Sequence, residues 1–173
     1  INVLGDDTDD DIEALSPMFT LAGLLIEQPT AGQQWTIGDE PQIVWYSAGT
    51  GDDSAELYYS ASGEFDDEIP IVPDPPHEWP NVEAGTGRNN YPWLIPDTLL
   101  PSEDARIKVV AGAYEYTMDE PFTIRGITVL TPADGATIAQ NQNVTVRWRS
   151  AGLDNDEDTT VNIYYSPTGD FDM

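Results

Sequence analysis

The sequence predicts an all-β protein composed of antiparallel β-sandwich repeats of about 103 residues. Three observations lead to this prediction. The chain resembles itself at a fixed spacing, and its apolar residues form short runs that often alternate with polar ones. Gly, Pro, Asn and Asp cluster between these runs. No stretch has apolar residues at helical spacing for more than two turns. We therefore expect short strands joined by turns along the whole chain.

The repeat is visible as two segments that align without a gap. Residues 19–49 match residues 122–152 at a constant offset of 103 positions. Phe19, Gly23, Pro29, Gly32 and Trp45 fall opposite Phe122, Gly126, Pro132, Gly135 and Trp148. Residues 57–67 match 163–173, and 1–4 match 107–110, both at an offset of 106 positions. Agreement in residue type, order and spacing identifies an internal repeat.

The offsets divide the chain into three parts. Residues 1–23 correspond to the C-terminal hairpin of one repeat, 24–126 to a complete repeat, and 127–173 to the N-terminal half of a third. A repeat of this length is the size of one β-sandwich domain. We interpret the chain as a window from a longer tandem array. The alternative is a subunit whose incomplete ends are completed by neighbouring copies through strand donation.

The complete repeat contains seven predicted strands, each rich in β-branched or aromatic residues. LLIEQ and PQIVWYS flank a Thr-Ala-Gly turn, and the second of them places Trp45 in mid-strand. AELYYS follows the turn sequence AGTGDD, EIPIV ends at PDPP, and YPWLI begins after GTGRNN. ARIKVVAG and PFTIRG are joined by an AYEY turn. Seven strands in a repeat of this size fit an immunoglobulin-like sandwich.

The same pattern predicts which side chains point into the core. We expect one set of residues to face inward: Ile43, Trp45, Tyr59, Trp93, Ile95, Val109 and Phe122. Trp148, the repeat partner of Trp45, is expected to be a core aromatic as well.

The order of these residues resembles a known repeat. It reads Pro, Gly, a polar spacer, I-x-W-x-S-x-G, a YYS strand, P-W-x-I-P-D and F-x-I-x-G. This is similar to the immunoglobulin-like repeat named after the N-terminal domain of yeast cell-wall glucan-synthesis proteins, which also occurs in tandem in very large bacterial surface and secreted proteins. The pattern is carried by Pro29, Gly32, Trp35, Ile43, Trp45, Ser47, Gly49, Tyr58, Tyr59, Ser60, Tyr91, Trp93, Ile95, Pro96, Asp97, Phe122, Ile124 and Gly126.

The resemblance implies a spacer or adhesive module that carries no catalytic residues. The chain departs from it in a long proline-rich insert at 73–90, where most relatives have a short turn. The links between repeats, in contrast, are very short and contain a single glycine. Links this short leave little room for rotation between domains, so they predict a semi-rigid rod.

The charge of the chain excludes several partners. Its 32 acidic and 6 basic residues give a formal net charge of −26, which repels phosphate backbones and anionic membrane surfaces. The sequence contains no cysteine, so disulfides and thiolate metal sites are excluded. No apolar run reaches the roughly 20 residues that span a bilayer, so we expect no membrane insertion in this segment. Screening cations are expected to stabilise such a surface.

Two acidic clusters are candidates for binding a cation. In the loop LDNDEDTT the three aspartates Asp154, Asp156 and Asp158 alternate, and oxygen ligands at this spacing can surround Ca²⁺. The loop is not an EF-hand, because Thr159 replaces the turn glycine and Tyr165 stands where the closing Glu belongs. A second cluster, DDTDDD, lies at 6–11. The alternative is that these acids are simply solvated surface charges. Calcium is the only cofactor that the sequence suggests.

Catalysis finds little support in the sequence. The single histidine, His77, has no partner at metal-ligand spacing, and no nucleophile or phosphate-loop motif occurs. The remaining candidates are aromatic: Trp79 in the insert and Tyr114 and Tyr116 in the AYEY turn could stack on sugar rings or on a neighbouring module. They could equally cover the core of their own sandwich.

These observations predict a structural module rather than an enzyme. We expect a part of a long extracellular or cell-surface fibre, stalk or adhesin-like protein, with neighbouring repeats or copies of itself as partners. The alternative is a carbohydrate- or protein-binding module of a secreted protein, with the 73–90 loop as its recognition surface.

Overall fold

The computed structural model describes residues 2–4, 13–51, 54–71, 81–153, 160–168 and 171. These residues contain strands and no helix, which confirms the all-β prediction. The thirteen strands are β1 (Asn2–Leu4), β2 (Glu13–Leu15), β3 (Gly23–Gln28), β4 (Gln34–Thr36), β5 (Gln42–Ala48), β6 (Ser54–Ser60), β7 (Ile69–Pro70), β8 (Asn81–Glu83), β9 (Gly87–Pro92), β10 (Ser102–Ala111), β11 (Tyr114–Thr117), β12 (Phe122–Thr131) and β13 (Arg147–Ala151).

Two sheets enclose the core. One is three-stranded and antiparallel, in the order β3-β5-β9. The other follows the path β13-β12-β10-β6-β7, with β11 on β10, β8 on β6, and β4 parallel to β12. β1 and β2 form a separate hairpin. Buried side chains of both sheets form one apolar cluster, which is the arrangement of a β-sandwich.

Alternation of side chains along the strands explains this core. Strand β10 buries every second residue from Ala105 to Ala111, and β6 does the same at Ala55, Leu57 and Tyr59. Because successive side chains of a strand point to opposite faces, this pattern places one face against the opposite sheet. Every residue predicted to face inward in the complete repeat is buried, so that prediction is confirmed.

Aromatic rings fill the centre of the sandwich. The Trp35 ring lies 5.2 Å from the Phe122 ring and 6.2 Å from the Trp93 ring, both in edge-to-face geometry. Such pairs stabilise a core beyond the area they bury, by about 0.5–1.5 kcal/mol each.

Strand β9 begins earlier than predicted. The residues GRNN were expected to form a turn, but Gly87–Asn90 pair with β5 as part of β9. The Asn89 side chain ties the start of β9 to β5 and to the preceding turn. Its Nδ2 donates to the Gly85 carbonyl (2.9 Å) and to Ser47 Oγ (3.0 Å), and its Oδ1 accepts from the Gly85 N–H (2.8 Å).

The predicted insert is shorter than 73–90. On the free edge of β6, Pro70 pairs with Tyr58 and the Ile71 N–H donates to the Leu57 carbonyl at 2.9 Å. Asn81 then pairs with Glu56, the next residue of β6. The chain therefore leaves this edge at Ile71 and returns at the adjacent position. Within the predicted insert at 73–90, residues 81–83 and 87–90 lie in strands β8 and β9, and residues 73–80 lie outside the described residues.

The C-terminal part differs from its prediction. Trp148 is 41% exposed, whereas its counterpart Trp45 is fully buried, and residues 163–166 do not form the strand that IYYS suggested. In the complete repeat, the matching strand β6 is held by pairing with β10. No described segment takes the place of β10 beside residues 163–166. Their apolar side chains are consequently exposed, Tyr165 to 88%.

Candidate functional site

Strand β12 crosses the predicted boundary between repeats without interruption. At its start, Phe122 and Ile124 are buried in the complete sandwich and pair with Ala105 and Ser102 of β10. From Gly126 onward the same strand pairs with β13, ending at Thr131. One continuous strand therefore pairs on both sides of the predicted boundary.

The pairing after this boundary repeats the pairing after the preceding one. Gly23 lies opposite Ala48 in the β3–β5 pair, and Gly126 lies opposite Ala151 in the β12–β13 pair. Both pairs contain a register shift near their far end, between Ile26 and Gln28 in one and between Val129 and Thr131 in the other. The two ladders are thus related by the sequence offset of 103 positions at every paired residue.

A glycine with positive φ packs against the preceding segment at each boundary. A Cβ on Gly49 (φ +59°) would lie 2.8 Å from Thr20 Cγ2 and 3.0 Å from Ala22 Cβ. A Cβ on Gly152 (φ +64°) would lie 3.0 Å from both Thr123 Cγ2 and Arg125 Cβ. Any other residue would have to adopt an unfavourable backbone conformation and also displace its neighbour. The two predicted boundaries are therefore closely packed at positions related by the 103-residue offset.

A cleft of about 720 Å³ lies between residues of the edge strands β7 and β9 and the segments next to them. One wall consists of Tyr91–Asp97 and the adjacent segment at 38–40. Two hydrogen bonds of 3.0 Å join these segments, one from the Gly38 N–H to the Ile95 carbonyl and one from the Ile95 N–H to the Asp39 carbonyl. The other wall consists of Tyr59 and Ile69–Ile71. The cleft is mostly apolar and aromatic, and Glu40 and Asp97 are the acidic residues among those that line it.

Tyr59 is the unusual residue of this cleft. Its side chain is 1% exposed, its ring lies 5.5 Å from the Trp93 ring, and its buried hydroxyl has no hydrogen-bond partner among the described residues. Burial raises the pKa of Tyr59 well above its ordinary value, and the charge of Asp67 raises it further, while Arg149 opposes the shift. The hydroxyl therefore stays protonated and neutral at physiological pH.

The residues singled out from the sequence lie elsewhere. Asp154, Asp156, Asp158 and Trp79 fall outside the described residues. Tyr114 and Tyr116 are both on β11, and neither lines the cleft. Tyr114 is exposed. Tyr116 is partly buried opposite Val109, packs against the core, and lines a smaller hollow of about 280 Å³ with Ile26 and Met118. Burial raises the pKa of Tyr116, and the charge of Asp119 adds to the effect.

The described part of the chain contains neither a cluster of metal-binding side chains nor a membrane-spanning helix. There, no three His, Cys, Asp or Glu side chains are grouped so that they could hold a metal ion. The same residues include no helix of the length and apolar character that crossing a bilayer requires. Comparison with protein-family models, curated proteins and solved structures finds no match for the chain.

The cleft could not be recognised from the sequence. Its walls come from residues 59 and 69–71 on one side and from 38–40 and 91–97 on the other. The pattern P-W-x-I-P-D predicts a strand with inward-facing Trp93 and Ile95; both side chains are buried, but β9 ends at Pro92 and residues 93–96 are not in a strand. A possible signal was the density of prolines around it, because prolines are typical of a free sheet edge.

Proposed function

We propose that this chain is a structural module of a long extracellular fibre, stalk or adhesin-like surface protein built from tandem immunoglobulin-like repeats. The observation that carries the proposal is the shared strand β12, which is paired with β10 in one unit and with β13 in the next. A unit that serves as a spacer must transmit its orientation to its neighbour, and a shared strand does so directly.

The geometry at the boundary favours a stiff connection. Flexible modules are joined by Gly/Ser-rich segments that behave as random coils, and their domains reorient freely. Here, a change in the angle between units would have to break pairs of Gly126–Thr131 with β13 or separate Gly152 from Thr123 and Arg125. The recurrence of the same pairing and the same glycine contact at two boundaries supports a regular, repeated connection.

The charge of the chain fits an extended assembly. A net charge of −26 produces strong self-repulsion, which an elongated array distributes over its length. The same charge opposes lateral aggregation of neighbouring fibres. Placement outside the cell and an adhesive role rest on the resemblance of the sequence to repeats of surface proteins.

Distance measurements between spin labels test the proposal directly. The chain has no cysteine, so Glu83→Cys and Gln140→Cys, both exposed and on opposite sides of the boundary, give two unique labelling sites. Pulsed electron–electron double resonance should yield one narrow distribution of distances between the two labels. The matched control carries a short Gly-Ser insertion between Gly126 and Ile127 and should give a broad distribution. An equally broad distribution without the insertion would refute the stiff connection.

A second candidate function is supported by a different feature. The cleft between Tyr91–Asp97 and Ile69–Ile71 has the size of a small-ligand site. It borders Ile71, where the 72–80 segment begins, and this supports the alternative of a binding module.

A further inference from the structure

The C-terminal part of the chain exposes residues whose counterparts form the core of the complete unit. Five large side chains there are at least 41% exposed, and we call them the acceptor face: Ile127, Val129, Trp148, Ile163 and Tyr165. Their counterparts at the sequence offsets belong to the core or pack against it: Leu24, Ile26, Trp45, Leu57 and Tyr59. A soluble protein rarely leaves a large apolar patch uncovered unless the patch contacts another molecule. The acceptor face therefore indicates an interaction surface.

The N-terminal part exposes a segment that is buried in the complete unit. Residues 18–22, here called the donor segment, correspond to the start of β12, so that Phe19 and Leu21 fall opposite Phe122 and Ile124. Phe122 and Ile124 are fully buried, whereas Phe19 and Leu21 are 57% and 78% exposed. Both halves of a contact that is closed within the complete unit are thus exposed in this chain.

Strand pairs of the complete unit show how the two surfaces would fit. There β12 pairs in parallel with β4, and Ile124 lies beside Trp35. At the 103-residue offset, Leu21 would lie beside Ile138 in the same way. Residues 137–139, the counterpart of β4, are in no strand, and Ile138 is 47% exposed. A strand of the β12 type is what this segment lacks among the described residues.

The hairpin of β1 and β2 provides a second match. Its ladder begins with Asn2 opposite Leu15, as the β10–β11 ladder begins with Lys108 opposite Thr117. In the complete unit β10 also pairs with β6, and no described segment takes its place beside residues 163–166. At the offset of 106 positions, β1 would pair with these residues as β10 pairs with β6.

Charge favours contact between the same two parts. Three of the six basic residues, Arg125, Arg147 and Arg149, lie on β12 and β13, and residues 122–153 contain only one acid. None of the three arginines forms an ion pair within 4.0 Å among the described residues. Residues 1–23 contain six acids and no base. Opposite charges steer such surfaces together, whereas the acidic remainder of the chain opposes sideways contacts.

We propose that the acceptor face binds the N-terminal part of a second copy of this chain. The donor segment of that copy lies along residues 137–139, and its β1–β2 hairpin lies beside residues 163–166. Because the two partners use different surfaces, the contact joins copies head to tail and leaves one surface free at each end. Stiff copies joined in this way form an open filament. This inference rests on the proposed structural function and specifies how one chain joins the next.

Two single variants of the full chain test the two surfaces separately. Leu21→Asp places a charge on the donor segment, and Ile138→Asp places one on the segment that receives it, both at exposed positions. Each should weaken self-association in sedimentation velocity by more than about tenfold, because the contact would bury an unpaired carboxylate. Leu94→Asp, at an exposed position outside both surfaces, is the matched control and should associate like the unaltered chain.

Mixing the two variants tests the head-to-tail geometry. Leu21→Asp keeps its acceptor face and Ile138→Asp keeps its donor segment, so an equimolar mixture should form a one-to-one complex that grows no further. The unaltered chain should instead form longer species as its concentration rises. In both cases the amides at 137–139 should exchange with solvent more slowly than in either variant alone.

Three results would overturn the inference. They are an unaltered chain that stays monomeric at high micromolar concentration, single variants that associate as well as Leu94→Asp does, and a mixture that forms no one-to-one complex. A monomer is the result expected if neighbouring repeats of the same polypeptide cover these surfaces. A monomer that still gives a narrow distribution of distances between labels at positions 83 and 140 would refute this contact and leave the proposed structural function standing.

Discussion

Substitution of Gly152 by alanine should loosen the boundary between units. Gly152 has φ +64°, and a Cβ there would lie 3.0 Å from Arg125 Cβ and from Thr123 Cγ2. The matched control is Gly135→Ala, because Gly135 has φ +71° and a Cβ there would meet nothing within 4 Å. Both substitutions carry the same backbone cost, about 1–2 kcal/mol for an L-residue in the left-handed region. Only the first also introduces crowding at the boundary.

The difference between these variants has a defined size. Overpacking of a tightly packed site costs about 1–3 kcal/mol. The crowded atoms belong to a part of β12 that is paired with both β10 and β4, so they cannot shift at low cost. A cost of about 1.4 kcal/mol corresponds to a factor of ten in an equilibrium constant, so the opening of β13 should become roughly 5- to 150-fold more frequent in Gly152→Ala than in Gly135→Ala.

Hydrogen exchange measures this opening residue by residue. Amides at 147–151 should exchange faster in Gly152→Ala than in the control, whereas amides at 105–111, in the centre of the complete unit, should exchange alike in both. Equal exchange at 147–151 in the two variants would show that the contact of Gly152 with β12 contributes nothing to the boundary, and the reasoning would fail.

Three further outcomes are expected. Replacing residues 72–80 by a two-residue turn should leave the melting temperature unchanged or higher, because Ile71 and Asn81 already occupy adjacent positions on the edge of β6; a large loss would contradict this. The hydrogen bond to Glu56 raises the pKa of Tyr58 from 10.0 to about 12, and burial raises the pKa of Tyr59. Above pH 10 the unfolded chain therefore releases tyrosine protons that the folded chain retains, so the free energy of unfolding should fall. Denaturation of Tyr59→Phe across this range should show a shallower fall. Melting at matched ionic strength should be higher in calcium than in sodium if the loop of Asp154, Asp156 and Asp158 binds metal, and equal melting would identify these acids as solvated charge.

Much of the fold was predictable because a strand with one buried face must alternate. Leu57 and Tyr59 on β6, and Ile107 and Val109 on β10, reveal their orientation by residue type alone. Strand β9 was harder, because Arg88, Asn89 and Asn90 have turn propensity that pairing with β5 overrides. Trp148 is exposed because few other strands cover it. The residues next to it in sequence do not reveal how many strands will do so.

The predicted boundary and the cleft also differ in how far the sequence alone reveals them. The glycine-containing segment predicts a short link between repeats, and strand β12 runs without interruption through the predicted boundary at Gly126. The cleft is formed by residues that are far apart in sequence and that only the folded structure brings together. Nothing in the residue types of Glu40 or Asp97 distinguishes them from the other acids of this chain.

In the proposed array, the sharing of β12 would also determine how units lose their structure. When one unit melts, its neighbour loses the pairing partner of half a strand, so the free energy of unfolding depends on the state of adjacent units. Chains with only nearest-neighbour coupling melt cooperatively over several units, and their ends open first. A unit in the interior is held on both sides and outlasts an identical unit at a terminus. The length of the array would then itself protect the repeats at its centre.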